Sequence, residues 1–107
     1  MTNFISTGST YWISDEEIHI LEENATNDSA FKLYQYHMFV SLDQDLEFKW
    51  LEIAAENGHP IAQSNLADLF FTQGNKEKAI FWAKKAHRNG AKLPEVASQS
   101  NQNESHD

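Results

Sequence analysis

The chain has 107 residues, of which 40% are hydrophobic and 12% aromatic, and its formal net charge is -8. This length accommodates one domain with a modest core. The lack of cysteine excludes disulfides, thiolate metal sites and cysteine nucleophiles, and no apolar run approaches the ~20 residues that a membrane-spanning helix needs.

The negative charge is concentrated in the first three quarters of the chain. Residues 1–75 carry twelve acidic residues and two lysines, giving -10, whereas residues 76–107 carry six basic and four acidic residues, giving +2. A negative field repels phosphate backbones and anionic lipids, so nucleic acid and membrane surfaces are poor partners, and it attracts basic proteins. Acidity also keeps small proteins soluble, which leaves a simpler explanation for the charge open.

The N-terminal residues 1–13 are predicted to form a segment that packs through Tyr11, Trp12 and Ile13. Its start has neither a basic cluster nor a long apolar centre, so we expect no signal peptide and a cytoplasmic location. Ser14 is followed three residues later by Glu17, which is the pattern of a capping box. This pattern predicts a first helix that ends near residue 24.

Two further helices are predicted in the middle of the chain. Asn27 and Asp28 are expected to cap a helix over 29–40, in which apolar residues recur at helical spacing. After a short turn, a third helix is predicted over 44–57. Gly58 follows it at the position where glycine commonly adopts a left-handed conformation and ends a helix.

The fourth and fifth helices are predicted over 60–73 and 76–89. Pro60 suits the first turn of a helix, because the amide hydrogen that proline lacks would be unpaired there. Gly74 and Gly90 are expected to end these two helices. The residues from 92 onward are rich in Ser, Gln, Asn and Glu, which predicts a disordered tail over 92–107.

Several residues recur at a spacing of 32 in the second half of the chain. The matching pairs are Trp50 with Trp82, Ala54 with Ala86, Asn57 with Asn89, and Gly58 with Gly90. Such a period is typical of helical-repeat proteins, which commonly bind other proteins. The small alanines allow neighbouring helices to approach closely, and the tryptophans are expected to fill the wider space between layers.

The segment 44–91 resembles the Sel-one-like repeat family, a relative of the tetratricopeptide repeat. The resemblance, weaker over 29–43, is carried by the runs Ala54-Ala55-Glu56-Asn57-Gly58-His59, Asn65-Leu66-Ala67 and Lys85-Ala86 and by the glycines that follow the helices. His87 departs from it, since the family tends to have alanine there.

The resemblance implies an all-α fold, an α/α solenoid of about two helix-turn-helix repeats over 28–58 and 59–91. The helix at 14–24 would then cap the first repeat, so that one domain spans 14–91. It also implies a right-handed superhelix, no intrinsic catalysis, and a function in protein binding.

A partner-binding surface is predicted on the first helix of each repeat, which commonly lines the concave side. The outward positions, matched by the 32-residue spacing, are Lys32, Gln35, Tyr36, Phe39, Ser64, Asp68 and Phe71. The three aromatic residues lie off the apolar stripes, and exposed aromatics are typical binding anchors. The alternative is that Phe39 and Phe71 close the ends of the core or pack against Tyr11 and Trp12.

A second candidate surface contains Glu22 and Glu23. Both lie near the C-terminal end of the first predicted helix, where the helix dipole disfavours an acid by a few tenths to ~1 kcal/mol. Residues kept in an unfavourable place could serve a basic partner. The alternative is an ordinary solvated face, on which salt screens the cost.

Catalytic and metal sites are not expected. No two of the five histidines have the i, i+4 spacing of paired ligands, and no metal-binding, phosphate-binding or nucleophile motif occurs. His37 aligns with Leu69, so it is expected to be a hydrogen-bonded core histidine. We therefore expect no enzyme activity and no cofactor.

Three functional hypotheses follow. The first is a small acidic inhibitor that blocks one target, such as the immunity protein of a bacterial toxin, with a basic toxin domain as its partner. The second is a general adaptor or scaffold that binds a peptide in a concave groove. The third, a hydrolase or metal-dependent enzyme that uses the histidines, is the least favoured. A monomer and a homodimer both remain open.

Overall fold

The computed structural model describes residues 11–91, so most of the predicted N-terminal segment and the whole tail predicted at 92–107 lie outside the described residues. Within residues 11–91 the protein is all-helical, without a strand. None of the helices in this range is both long and apolar enough to cross a membrane. The five α-helices described within residues 11–91 are α1 (Asp15–Glu23), α2 (Asn27–Tyr36), α3 (Gln44–Glu56), α4 (Pro60–Thr72) and α5 (Lys76–Arg88).

Helix α1 begins at a serine cap, as predicted. The Ser14 hydroxyl oxygen accepts a hydrogen bond from the backbone amide of Glu17 at 3.1 Å. The Glu17 carboxylate forms an ion pair with Lys32 of α2, with Oε2 and Nζ 3.4 Å apart. The predicted capping box is therefore formed on its serine side, and the glutamate connects α1 to the next helix.

The predicted cap of α2 at Asn27 and Asp28 is wrong. Thr26 caps this helix, because its hydroxyl accepts a hydrogen bond from the backbone amide of Ser29 at 3.1 Å. Threonine is an accepted capping residue, and the helix consequently begins at Asn27, two residues before the predicted start.

The structure also differs from the prediction at the C-terminal end of this helix. Beyond Tyr36 the chain continues as a π-helical turn, His37–Ser41, instead of a regular α-helix through residue 40. Within this turn His37 Nδ1 and the Ser41 hydroxyl are 2.7 Å apart. The turn then ends at Leu42, whose φ of 59° lies in the left-handed region.

Leu42 leads to a stability prediction. Its left-handed conformation costs a leucine roughly 1–2 kcal/mol, and its side chain is 70% exposed and gains little from burial. We expect Leu42→Gly to raise the free energy of unfolding by about 0.5–1 kcal/mol, the remainder being offset by the greater chain entropy of unfolded glycine. Urea denaturation measures this. Leu46→Gly, inside α3, should instead destabilise, and a loss in both variants would contradict the prediction.

The ends of α3, α4 and α5 follow the sequence signals closely. Gly58, Gly74 and Gly90 have φ angles of 96°, 85° and 96°, which confirms their predicted role in ending the helices. Asp43 caps α3 and Asn75 caps α5 through their side-chain oxygens. Each of these helices runs to within one residue of its predicted bounds.

The core lies between consecutive helices, since α1 packs on α2, α2 on α3, α3 on α4, and α4 on α5. Four alanines in it are completely buried, which lets the helices approach closely: Ala30, Ala54, Ala62 and Ala86. Leu33, Leu66 and Trp50 are buried with them. Both tryptophans are predicted to fill the space between helix layers, which is correct for Trp50 and wrong for Trp82, since Trp82 is only half-buried. Helix α5 is the last described helix, and no further described helix covers Trp82.

Side-chain amides connect neighbouring helices. Gln63 of α4, 1% exposed, donates to the Ala55 carbonyl at 2.9 Å and accepts from the Asn89 amide at 2.9 Å. Asn57, at the end of α3, donates to the Ala25 carbonyl before α2 at 2.9 Å. These bonds connect the end of α3 to the residue before Thr26 and the end of α5 to α4, and they satisfy the buried Gln63 amide.

Candidate functional site: an acidic groove

An open groove of about 320 Å³ lies where α2, α3 and α4 meet, and we call it the acidic groove. It continues into an adjoining hollow of about 380 Å³ beside Phe48, which shares Glu47, Leu51 and Leu69 with it. The residues that line the acidic groove are Tyr34, Glu47, Leu51, Asn65, Asp68, Leu69 and Thr72.

Helical spacing brings these side chains together. Glu47 and Leu51 are four residues apart on α3, so they lie on one face of that helix. On α4, Asn65 is followed by lining residues three, four and seven positions later, which also share one face. Tyr34 projects from the core-facing stripe of α2, and the groove forms where these three faces meet.

A hydrogen bond organises the polar end of the groove. The Asn65 amide lies 3.3 Å from the Tyr34 hydroxyl, to which it donates. Burial raises the pKa of Tyr34, the bond from Asn65 lowers it, and the nearby Glu47 carboxylate raises it; the net direction is upward. A tyrosine is protonated at neutral pH even without this upward shift, so the phenol is available as a hydrogen-bond donor.

Both charged residues that line the groove are acidic. Glu47 is half-buried and Asp68 is exposed, while Leu51 and Leu69 provide an apolar floor. A lysine or arginine side chain combines an apolar stem with a charged end that seeks carboxylates. The lining is therefore chemically complementary to a basic side chain.

The structure distributes the residues predicted for the partner surface among several environments. Asp68 lines the acidic groove, whereas Phe71, 65% exposed, lines a separate groove between α4 and α5. Lys32 is held by Glu17 of α1. Phe39 is 37% exposed and stacks on Tyr11, with ring centroids 4.6 Å apart. The alternative predicted for Phe39, packing against Tyr11, is thus confirmed.

The remaining predicted residues do not line the acidic groove. Tyr36 is half-buried and meets the His37 ring edge-on at 5.0 Å. Gln35 and Ser64 are half-buried. Glu22 and Glu23 are exposed on α1, where the Glu22 carboxylate lies 4.0 Å from the His19 ring.

Of the residues that line the acidic groove, only Asp68 belongs to the partner surface predicted from the sequence. The Tyr34 hydroxyl and the Glu47 carboxylate lie next to buried positions, so helical spacing alone does not mark them as site residues. One signal was available for Glu47: it precedes the buried Leu51 by four residues, which places a carboxylate at the edge of the core-facing stripe.

Two histidines have structural roles. His37 is buried and hydrogen-bonded to Ser41, which confirms the predicted core histidine; burial lowers its pKa, against the opposing effects of Asp43 and Glu22. His59 caps α4 by accepting from the Ala62 amide at 3.3 Å and stacks on Phe31 at 4.0 Å. Within residues 11–91, no three His, Asp or Glu side chains converge closely enough to hold a metal ion.

His59 leads to a pH prediction. Burial lowers its pKa, opposed by Asp28, and its Nδ1 must be unprotonated to accept from Ala62. A lowered pKa means that the unfolded chain binds the proton more readily, so this stability is present above about pH 6.5 and is lost as the pH falls through the folded-state pKa.

Asparagine at residue 59 would keep a capping oxygen without titrating. We therefore expect the melting temperature of His59→Asn to fall less than that of the wild type between neutral and mildly acidic pH. Thermal unfolding followed by circular dichroism measures both proteins. An equal decrease of the melting temperature in both proteins would contradict the prediction. His37 is present in both proteins, so its titration contributes equally to the two pH dependences.

Comparison with known proteins finds one distant relative. The chain is 32% identical over 95 residues to a protein of Escherichia coli (strain K12) named "Uncharacterized protein YibG", and the match covers 79% of this chain. The match spans only 62% of the length of that relative. No protein-family model matches the chain, and no solved structure matches it significantly.

Proposed function

We propose that this chain is a non-catalytic protein-binding module that holds a basic segment of its partner in the acidic groove. The observation that carries the proposal is the lining of the groove, in which Glu47 and Asp68 are the charged residues and leucines form the floor. The net charge of -8 would steer a basic protein toward it.

In the proposed complex, the stem of an arginine or lysine of the partner lies on Leu51 and Leu69. Its charged end is held between the carboxylates of Glu47 and Asp68. The Tyr34 hydroxyl donates to a carbonyl of the bound segment. The hydrogen bonds from the partner's basic side chain to the two carboxylates are charge-assisted, and such bonds are about twice as strong as neutral ones.

The role that we favour is inhibition of one target, as in an immunity protein that covers a basic bacterial toxin domain in the cytoplasm. An adaptor that binds a peptide is the second candidate, supported by the hollow beside Phe48, where Phe48, Leu51 and Leu69 offer apolar contacts. The salt dependence of partner affinity distinguishes these two roles. The affinity of an electrostatic inhibitor complex falls as ionic strength rises, whereas that of an apolar peptide complex does not.

We also propose that α2–α3 and α4–α5 are two units of a Sel-one-like solenoid, with α1 as its cap. Equivalent residues 32 positions apart support this proposal. Gly58 and Gly90 have the same φ of 96°, and Ala54 and Ala86 are both completely buried. The unequal burial of Trp50 and Trp82 is then a consequence of position at the inside and at the end of a short array.

The experiment is co-expression with the products of neighbouring reading frames, followed by affinity measurement on any stable complex. We expect Glu47→Lys with Asp68→Lys to weaken binding at least ~30-fold, because reversed charges would face the partner's basic side chain. Glu52→Lys with Glu56→Lys is the matched control, since it changes the net charge equally on α3 outside the groove.

Comparison of the two double variants distinguishes specific binding in the acidic groove from general electrostatic attraction to a negatively charged protein. Equal weakening by both double variants would show that only net charge matters and would overturn the groove. Failure to recover any basic partner would count against the inhibitor role.

A further inference from the structure

A second groove, between α4 and α5, is mostly apolar and open. We call it the α5 groove; it has a volume of about 220 Å³ and is lined by Ala67, Asp68, Phe71, Ala79, Ile80 and Ala83. Phe71 and Ile80 are 65% and 54% exposed, which is unusual for two large apolar side chains in one groove.

The α5 groove has the character of a surface that receives a helix. Ile80 and Ala83 stand 32 residues after Phe48 and Leu51 of α3. On α3, those two residues lie beside α4 and line a hollow together with Leu69 of that helix. On α5, Ile80 and Ala83 border α4, but no further described helix covers the groove between them, so the exposed Phe71 and Ile80 are available to a helix from elsewhere.

Basic residues flank the α5 groove. Lys76 and Lys84 lie four residues before and after Ile80, so all three share one face of α5, and both lysines are exposed. Helix α5 as a whole carries five basic residues and Glu77, a net charge of +4. Asp68 reduces this charge on the α4 side of the groove.

Helix α1 presents the complementary pattern at the other end of the chain. Its Ile20 is 57% exposed, with Glu16 four residues before it and Glu23 three residues after it on the same face. Helix α1 carries five acids and no lysine or arginine, a net charge of -5 with His19 neutral.

We propose that α1 of one copy docks into the α5 groove of a second copy, head to tail. Ile20 would lie against Phe71 and Ile80, while Glu16 and Glu23 face Lys76 and Lys84. Symmetric dimers are disfavoured. A contact between two α1 helices would bring acidic residues against acidic residues, and a contact between two α5 helices would bring lysines against lysines. The segment 92–107 is a poorer occupant, since seven of its sixteen residues are Ser, Gln or Asn and its large aliphatic residues are only Leu93 and Val96.

This association is weak and open-ended. Nine helical residues span only about 14 Å, so the contact falls below the roughly 1,000 Å² expected of a stable interface. A head-to-tail contact leaves one free α1 and one free α5 groove, so growth continues into chains or closes into rings. The inference does not rest on the proposed function, and the α5 groove shares only Asp68 with the acidic groove.

Analytical ultracentrifugation of the full chain, at concentrations up to about 1 mM, tests the proposal in the range where weak contacts are populated. We expect the average mass of the wild type to rise with concentration and to fall with added salt. Two variants, Glu16→Lys with Glu23→Lys and Lys76→Glu with Lys84→Glu, should each raise the dissociation constant about tenfold or more.

Mixing the two variants gives the decisive result. The basic α1 of the first then meets the acidic α5 groove of the second, and the native α1 of the second meets the native groove of the first, so association should return. All four positions are exposed, and circular dichroism checks that the variants fold. A wild type that stays monomeric, a closed dimer that ignores these charges, or a mixture that does not associate would each overturn the proposal.

Discussion

Trp50→Ala is expected to lower the free energy of unfolding by about 3–5 kcal/mol, the usual cost of truncating a buried tryptophan. Trp50 is 5% exposed and belongs to the core cluster with Leu33 and Ala54. A small domain is stable by only about 5–15 kcal/mol, so this variant should be close to unfolding. Urea denaturation followed by circular dichroism measures the loss.

Two comparisons make the Trp50 result specific. Trp82→Ala should cost clearly less, because Trp82 is half-buried at the edge of the described helices. Trp50→Phe should also cost much less than Trp50→Ala, since the buried indole nitrogen has no hydrogen-bond partner among the described residues and its removal loses no bond. Equal losses at Trp50 and Trp82 would mean that α5 is covered in solution by something beyond residues 11–91.

Leu66→Ala is expected to cost about 2–5 kcal/mol, in the range of buried leucine truncations. Leu66 is 1% exposed at the centre of α4, the helix that packs against both α3 and α5. Truncation leaves a cavity that the helices cannot close, because Ala62 and Ala67 beside it are already small and buried.

The matched control is Leu69→Ala, on the same helix and of the same chemistry. Leu69 is half-buried in the floor of the acidic groove, where water fills the space that the side chain vacates. We expect Leu69→Ala to lower the free energy of unfolding clearly less than Leu66→Ala does. We also expect Leu69→Ala to weaken binding of the proposed partner. A larger loss at Leu69 than at Leu66 would contradict the described packing of α4.

The predicted helices are largely the described ones, because their signals are local. A capping oxygen and a glycine with positive φ act within one or two turns of the chain, so Ser14, Gly58 and Gly90 mark helix ends without reference to distant residues. The cap of α2 was misplaced because three neighbouring residues, Thr26, Asn27 and Asp28, can all serve as caps, and local chemistry does not choose among them.

The environment of an individual side chain depended on contacts between helices. The partner of Glu17 is Lys32 from the next helix, and the ring of Phe39 stacks on Tyr11 from the segment before α1. Neither contact follows from spacing within one helix. The π-helical turn at His37–Ser41 was likewise outside prediction, since its sequence is compatible with an ordinary helical turn.

Composition and local pattern were therefore enough for the helix order, the glycine stops and the acidic character of residues 1–75, because each arises from neighbouring residues or from simple sums of charge. The acidic groove was not predictable in this way. It exists because Tyr34, Glu47 and Asp68, on three different helices, meet where those helices pack, and only that packing places a phenol and two carboxylates around one apolar floor.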